Sequence, residues 1–503
     1  VNSNLTVGDL TVTGAFEALG TIKLDGNYPT GTNNVALGNE ALDSGSLSGG
    51  YNVAVGTSAL TNNTSGIQNI AVGFDSLGDN TTGKYNIGLG HGTLALNTTT
   101  CYNTAIGYAS LNNNTGSCNT ALGGKALQLN TTGDCNTALG STALDANTTG
   151  VRNTAIGLGA LTANTTASNN TAVGKSSLAV NTEGHSNVAV GANALDANTT
   201  GDQNVAIGMD ALTTNTTASN NTAVGDEALK LNTTGTFNNA LGALALSSNT
   251  TGSANNAFGY DALGSNTTGD YNTAVGFALQ DNTTADNNTA VGYSSLLQNT
   301  TGGNNAAVGV CALNANTTGA SNVGIGYLAL DTNTEGSSNT AVGRAALLCN
   351  STGSANTAVG QEALCLNTAG NNSAFGYHTL KCNTSGTSNT AIGYSSLLKN
   401  TASNNTAVGY QSLCANTTGT QNVAVGTNSL DTATTGSCNT ALGNGAMGEN
   451  TTGSNNVAVG RTALFSNTTA SNNTAVGVSA LQTNTTGGGN AAFGSEALKS
   501  NTG

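Results

Sequence analysis

The sequence predicts an all-β fold, a parallel β-roll or β-solenoid of about 28 coils of 17 residues. A Gly preceded by Val, Ile, Leu or Phe recurs 28 times between Gly38 and Gly494, and a period of this length is typical of a solenoid. The high Gly, Asn and Thr content, without a 3.6-residue apolar period, disfavours helices. Each copy also keeps Val or Ile and Leu at fixed places, which distinguishes the chain from a disordered low-complexity segment.

A single repeat array accounts for most of the 503 residues, since a solenoid grows as one quasi-linear object and not as several globular domains. Residues 1–33 do not follow the repeat, and alternating segments such as Leu5–Val7 and Leu10–Thr13 predict an N-terminal cap of short strands. Residues 34–503 form the continuous array. The last copy stops inside its loop at Asn501–Gly503, so we expect an array truncated in mid-repeat.

One copy, residues 204–220, divides into parts with different predicted structures. Asn204–Gly208 predicts a strand closed by a glycine corner, where the absence of a Cβ permits a tight turn. A second strand is expected around Asp210–Leu212, and Asn215–Ser219 is rich in residues that favour loops. Each coil is therefore predicted to contain strand, turn, strand and loop.

Stacked coils place equivalent residues above one another at about 4.8 Å, which predicts a rod of about 130 Å. The Asn of the N-T-T-G loop is the best candidate for a stacked ladder. Because side chains alternate along a strand, Val224 and Thr222 face one way and Ala223 the other. We expect Val and Leu to fill the coil and Ala to line its outside, where several chains would pack along their length.

The charge pattern excludes some functions. Charged residues make up 7% of the chain, the net charge is −14 and only 11 residues are Lys or Arg, so no basic surface for nucleic acid is expected. No apolar run approaches the roughly 18 residues of a membrane span. No sequence motif implies a cofactor.

The repeat resembles that of a known class of fibrous proteins. Asn187–Gly191 and Asn204–Gly208 are similar to the N-S-V-A-I-G-x-x-S-x-A repeat in the heads of Yersinia-type trimeric autotransporter adhesins. The longer phrase N-T-A-V-G-x-x-A-L-x-x-N-T-T-G resembles arrays in bacteriophage tail-fibre and other virion-fibre proteins. The resemblance implies a left-handed β-roll assembled as a homotrimer. Longer coils, the N-T-T-G loop and the lack of a coiled-coil stalk or membrane anchor favour the fibre over the autotransporter.

The sequence offers little chemistry. No catalytic, cofactor-binding or metal-binding residues are predicted, and the chain is expected not to be an enzyme. The nine Cys are interpreted mostly as small buried apolar residues, with inter-coil or inter-chain disulfides as the alternative. Sequons occur in almost every loop. Possible surface contacts to sugars are five tyrosines that directly follow a repeat Gly: Tyr293, Tyr327, Tyr377, Tyr394 and Tyr410.

These patterns predict an extracellular structural and attachment fibre. The first hypothesis is the shaft of a phage or virion fibre that presents a receptor-binding tip. The alternatives are the head of a cell-surface trimeric adhesin and a self-assembling extracellular filament. The expected partners are further copies of the chain, and a glycan or protein receptor on a cell surface.

Overall fold

The computed structural model describes residues 31–502. In these residues the fold is a parallel β-solenoid of 28 short strands, with one strand in each coil and no helix. The predicted fold class is therefore confirmed. The chain divides into two compact units between Ala155 and Ile156. The predicted cap strands of the N-terminal module lie before residue 31, outside the described residues.

All strands are three residues long. In the first unit they are β1 (Val35–Leu37), β2 (Val53–Val55), β3 (Ile70–Val72), β4 (Ile87–Leu89), β5 (Thr104–Ile106), β6 (Thr120–Leu122) and β7 (Thr137–Leu139). Strand β8 (Thr154–Ile156) spans the division between the units.

The second unit contains the other twenty strands. They are β9 (Thr171–Val173), β10 (Val188–Val190), β11 (Val205–Ile207), β12 (Thr222–Val224), β13 (Asn239–Leu241), β14 (Asn256–Phe258), β15 (Thr273–Val275), β16 (Thr289–Val291), β17 (Ala306–Val308), β18 (Val323–Ile325), β19 (Thr340–Val342), β20 (Thr357–Val359), β21 (Ser373–Phe375), β22 (Thr390–Ile392), β23 (Thr406–Val408), β24 (Val423–Val425), β25 (Thr440–Leu442), β26 (Val457–Val459), β27 (Thr474–Val476) and β28 (Ala491–Phe493).

Within each unit, neighbouring strands are parallel and in register, so that equivalent residues lie side by side. In β12 and β13, for example, Thr222 pairs with Asn239. The stacking continues beyond the strands, because loop amides also bond to the next coil: the N–H of Thr233 donates to the carbonyl of Thr250 at 2.9 Å. Backbone groups of strand and loop are thus satisfied along the stacking direction, as a buried backbone requires.

The side chains inside the coil are those predicted for Leu but not for Val and Ala. The middle residue of the strand, Ala223, is fully buried, whereas Thr222 and Val224 on either side are only partly buried. Val therefore faces outward and Ala inward, and the expectation of an outer Ala stripe is wrong. The predicted alternation holds, but the interior is too narrow for a large side chain on the strand. Ala228 and Leu229 complete the apolar filling, and both are fully buried.

The segment after the glycine corner is a turn and not the predicted second strand. Glu227 and Leu229 have left-handed backbones, with φ values of 55° and 51°. This conformation costs an L-residue about 1–2 kcal/mol. The burial of the Leu229 side chain and a 3.0 Å bond from its N–H to the carbonyl of Ala245 offset the cost. Since such a φ is uncommon for Leu, the sequence did not reveal this turn.

Two columns of buried Asn hold the loop against the strand. The Nδ2 group of Asn232 donates to Oδ1 of Asn215 one coil earlier (3.1 Å) and to the carbonyl of Gly235 (3.0 Å). This is the predicted ladder. The second column was not predicted: the backbone N–H of Asn221 donates to Oδ1 of Asn204 (3.0 Å), and its Nδ2 donates to the same Gly235 carbonyl (2.9 Å). Both columns converge on one loop carbonyl.

Candidate functional surface

The five predicted tyrosines lie in one file of residues, each directly after the glycine corner of its coil, and all are exposed, between 38% for Tyr377 and 63% for Tyr293. The rings of Tyr377, Tyr394 and Tyr410 form a continuous stack, with centroid distances of 5.2 and 5.3 Å and interplanar angles of 15° and 13°. Tyr327 lies earlier in the same file.

Tyr293 belongs to a separate stack. Its ring lies 6.0 Å from Phe277, and Phe277 lies 6.4 Å from Tyr260. In both stacks the faces of the middle ring are covered by its neighbours, so ring edges and phenolic hydroxyl groups face the solvent. Sugar stacking needs a free ring face. These stacks offer one only at their ends, and at the Tyr377 end the ring of His378 lies on the tyrosine. Contact with a receptor through these tyrosines stays a prediction.

The first unit carries an aromatic stack at the same position, which the sequence analysis did not select. His91 lies between Phe74 and Tyr108, at centroid distances of 5.1 and 5.4 Å. All three follow a repeat Gly. Tyr108 meets the same rule as the five selected tyrosines but was not among them, and Phe74 and His91 would be found by extending the rule to Phe and His. The role of His91 is therefore packing on the surface of the coil.

A small ionic cluster interrupts the tyrosine file of the second unit. The carboxylate of Glu362 contacts Arg344 (3.2 Å), His378 (3.1 Å) and Lys381 (2.6 Å), which come from the coil before and the coil after. The bond from Lys381 is the main reason that the pKa of Glu362 is lowered and that of Lys381 raised. The cluster ties three coils together with charge-assisted bonds.

His378 lies in this cluster with its ring on that of Tyr377, at a centroid distance of 3.7 Å. Burial, followed by the charge of Lys381, lowers the pKa of His378 although Glu362 opposes the shift. His185 accepts a bond from the N–H of Ser168 through Nδ1 (3.0 Å). Each of the three His thus has a contact within the coil stack, and residues 31–502 contain no group of three His, Cys, Asp or Glu that could hold a metal ion.

The sequon asparagines of the N-T-T loops are buried, whereas a sequon such as Asn472-Asn473-Thr474, at the start of β27, begins with an exposed Asn. Asn232, in the sequon of its loop, is fully buried, and its Nδ2 group makes the two ladder bonds described above. Nδ2 is also the atom to which a glycan would be attached. Glycosylation of a loop Asn in the folded coil would therefore require the ladder to break, and the loop sequons are explained by loop structure.

The cysteines differ from their predicted burial. Of the nine, Cys365 is buried, Cys118, Cys135 and Cys438 are exposed, and the other five are half-buried. The interpretation as mostly buried apolar residues is therefore wrong. The reason is their position: Cys118, Cys135 and Cys438 each directly precede the buried Asn that opens a strand, where the side chain points outward.

The most extensive apolar feature is the outward face of the strands. Each of the 28 described strands ends in Val, Leu, Ile or Phe, and neither outward position carries a charged residue in any of them. In three consecutive strands the end residues Leu241, Phe258 and Val275 are 37–41% exposed. In the second unit alone the row of these end residues is about 95 Å long, with an area on the order of 1,000 Å². The other outward position is Thr, Asn or Ser in most strands. Monomeric proteins rarely expose apolar patches above a few hundred Å².

None of the described residues forms a helix that could cross a membrane. Comparison of the chain with protein-family models and with curated proteins gives no match.

Proposed function

We propose that the chain is the shaft segment of an extracellular attachment fibre, and that it associates along its length with copies of itself. The observation that carries the proposal is the charge-free outer face of the strands, on which the last residue of every described strand is apolar. A face that repeats in every coil matches a partner with the same repeat, and the best match is a second copy of the chain. The repeat's resemblance to fibre proteins favours a homotrimer with a left-handed coil.

The proposed role is structural and not enzymatic. Local stacking lets length be added without new tertiary contacts, because each coil contacts only its neighbours. Such a shaft would hold a receptor-binding tip away from the surface of a virion or cell. The chain has only 36 charged residues (11 basic and 25 acidic), and those among residues 31–502 lie outside the strands. They keep a long assembly soluble.

Assembly is tested by light scattering on the purified chain. The expected mass is that of three chains, and a mass of one chain would contradict the proposal. A variant with Val190, Ile207, Val224 and Leu241 all replaced by Lys is expected to dissociate at a lower urea concentration, because each coil would then bring buried like charges together.

The matched control places four Lys residues in the loops of the same region, at Thr200, Thr217, Thr234 and Thr251, which are exposed. Its dissociation midpoint should equal that of the unmodified chain. Equal midpoints for both variants would show that the apolar face is not the interface. Circular dichroism verifies that both variants keep their β-structure.

A second candidate, the head of an adhesin that itself binds a cell surface, is favoured by the exposed tyrosine stack. Replacement of Tyr377, Tyr394 and Tyr410 by Ala separates the two roles. An adhesin head would lose binding to cells or to an array of surface glycans, whereas a shaft would show no binding in either form.

A further inference from the structure

We propose that Cys118 and Cys135 form a disulfide between neighbouring coils when the chain meets a small disulfide such as oxidised glutathione. Both thiols are exposed, so a small oxidant can reach them. Each residue directly precedes the buried Asn of its coil, and the two coils are consecutive within the first unit. The proposal does not depend on the proposed function, although an extracellular fibre would meet oxidising conditions.

The spacing of this file of residues is known from its aromatic members. Tyr85 and Tyr102 occupy the same place in the two preceding coils, and their rings lie 4.9 Å apart and within 10° of parallel. Cys118 and Cys135 have nearly the same backbone conformation, with φ values of 61° and 60°. Their side chains therefore leave the backbone in the same direction, one coil apart.

This spacing fits a disulfide after a small adjustment. Stacked Cα atoms about 4.8 Å apart lie within the usual range for a disulfide, and the Cβ atoms must approach by about 1 Å. The thiol of Cys135 is also near enough to that of Cys118 to contribute to the raised pKa of Cys118. A rotation of the two side chains and a slight closing of the coils complete the geometry.

The surroundings affect the rate of the reaction. Burial raises the pKa of the Cys118 thiol, and the nearby Cys135, Asp134 and Cys101 add to the shift. Since the thiolate is the attacking species, oxidation should be slow at neutral pH and faster at about pH 9. Cys101 is the competing thiol, one place earlier in its own coil, where its Sγ accepts a bond from the N–H of Lys84 (3.4 Å).

The chemistry is two successive thiol–disulfide exchanges. One of the two thiols loses a proton and attacks a sulfur of oxidised glutathione, which forms a mixed disulfide and releases one glutathione thiolate. The second thiol loses its proton and attacks the protein sulfur of that mixed disulfide, which releases the other glutathione. Two protein thiols are oxidised and one glutathione disulfide is reduced to two thiols.

The experiment uses the full chain with oxidised glutathione at about pH 9, followed by blocking of the remaining thiols, denaturation and digestion with trypsin. Trypsin cleaves after Lys84, Lys125 and Arg152, so the two cysteines fall on different peptides. The expected product is peptide 85–125 joined to peptide 126–152.

Two single variants identify the partner, because Cys101 and Cys118 share one tryptic peptide. Cys101→Ser should leave the joined peptides unchanged, and Cys118→Ser should abolish them. Cys438 is the internal control, since it occupies the same place in its coil and contacts Gln421 instead of a thiol (3.3 Å). It should carry a glutathione adduct and form no link within its chain.

Three results would overturn the proposal. The first is a joined product that persists in Cys118→Ser, which would assign the link to Cys101. The second is a stable glutathione adduct on Cys118 with a reduced Cys135. The third is a link between two chains, seen as a doubled mass on a non-reducing gel.

Discussion

The glycine that ends each strand is held by two constraints. Gly123 has a φ of 136°, a conformation that L side chains rarely adopt, and a Cβ added there would lie 2.4 Å from the carbonyl oxygen of Gly140. The repeat Gly of one coil thus lies directly on that of the next. The following residue, Gly124, has neither constraint, since a Cβ there would meet no atom within 4 Å.

These adjacent residues make a matched pair of substitutions. Gly123→Ala should destabilise its coil by more than about 3 kcal/mol, because strain and a backbone clash add. Gly124→Ala should change stability by less than about 1 kcal/mol. Hydrogen exchange in the coils of β6 and β7 measures both. Similar exchange in the two variants would show that the close stacking of the glycines does not matter.

In the described coils from Asn63 onward, Ala433 is the one residue that replaces Asn in the loop ladder. This residue is fully buried at the place where other loops have Asn. One coil earlier, Oδ1 of Asn416 is buried without a hydrogen-bond partner, because Ala433 has no Nδ2 group to donate. One coil later, the Nδ2 of Asn450 keeps its bond to Gly453 (3.0 Å). The coil around Ala433 is therefore a weak point.

Restoring the ladder should strengthen this point. Ala433→Asn would donate to Oδ1 of Asn416 and accept from Asn450, and we expect a gain of about 1–2 kcal/mol from the satisfied buried groups. Slower amide hydrogen exchange in the coils of β24 and β25 would show this gain in stability. As the control, Ala424→Asn adds the same group inside β24, where no ladder exists, and should destabilise. A loss of stability in Ala433→Asn would contradict the ladder account.

At the scale of the element, the two faces of the three-residue strand differ in the size of side chain that they accept. The inward position is Ala in most coils because it packs against the buried Leu, and the outward positions are free to be large. Ala223→Val should therefore cost about 1–3 kcal/mol by overpacking, and Val224→Ala less than about 1 kcal/mol. Amide hydrogen exchange around β12 compares the stability of the two variants. The reverse order would restore the orientation predicted from the sequence.

The same element shows what the sequence could and could not predict. The period, the glycine corner and the loop Asn ladder could be predicted, because Gly and Asn recur at fixed places and each favours a specific local structure. The predicted orientation of the strand side chains was wrong. Alternation places Ala223 and Val224 on opposite faces but does not say which of the two faces the interior. The turn at Leu229 was missed because its buried side chain overrides the backbone preference of Leu. Exposed tyrosines were identified correctly, but their mutual stacking depends on coil spacing.

At the scale of the whole molecule, the coil is the unit of stability. The in-register pairing of β11, β12 and β13 means that any coil offers its neighbours the same backbone groups. Stability in such arrays is approximately a sum of coil terms and neighbour terms. Damage to one coil should therefore stay local, and coil number should be free to vary provided that each coil is complete.

Deletion of whole and partial coils tests this modularity. Removal of residues 222–238 joins Asn221 to Asn239, so that β11 meets β13 in the register it had with β12, and the array should stay folded. Removal of residues 222–230 deletes a strand and its glycine corner but leaves the loop, which brings unlike positions together and exposes the junction. Proteinase K should cut the second variant near residue 221 and spare the first. Equal cleavage of both would mean that the array folds as a whole and not coil by coil.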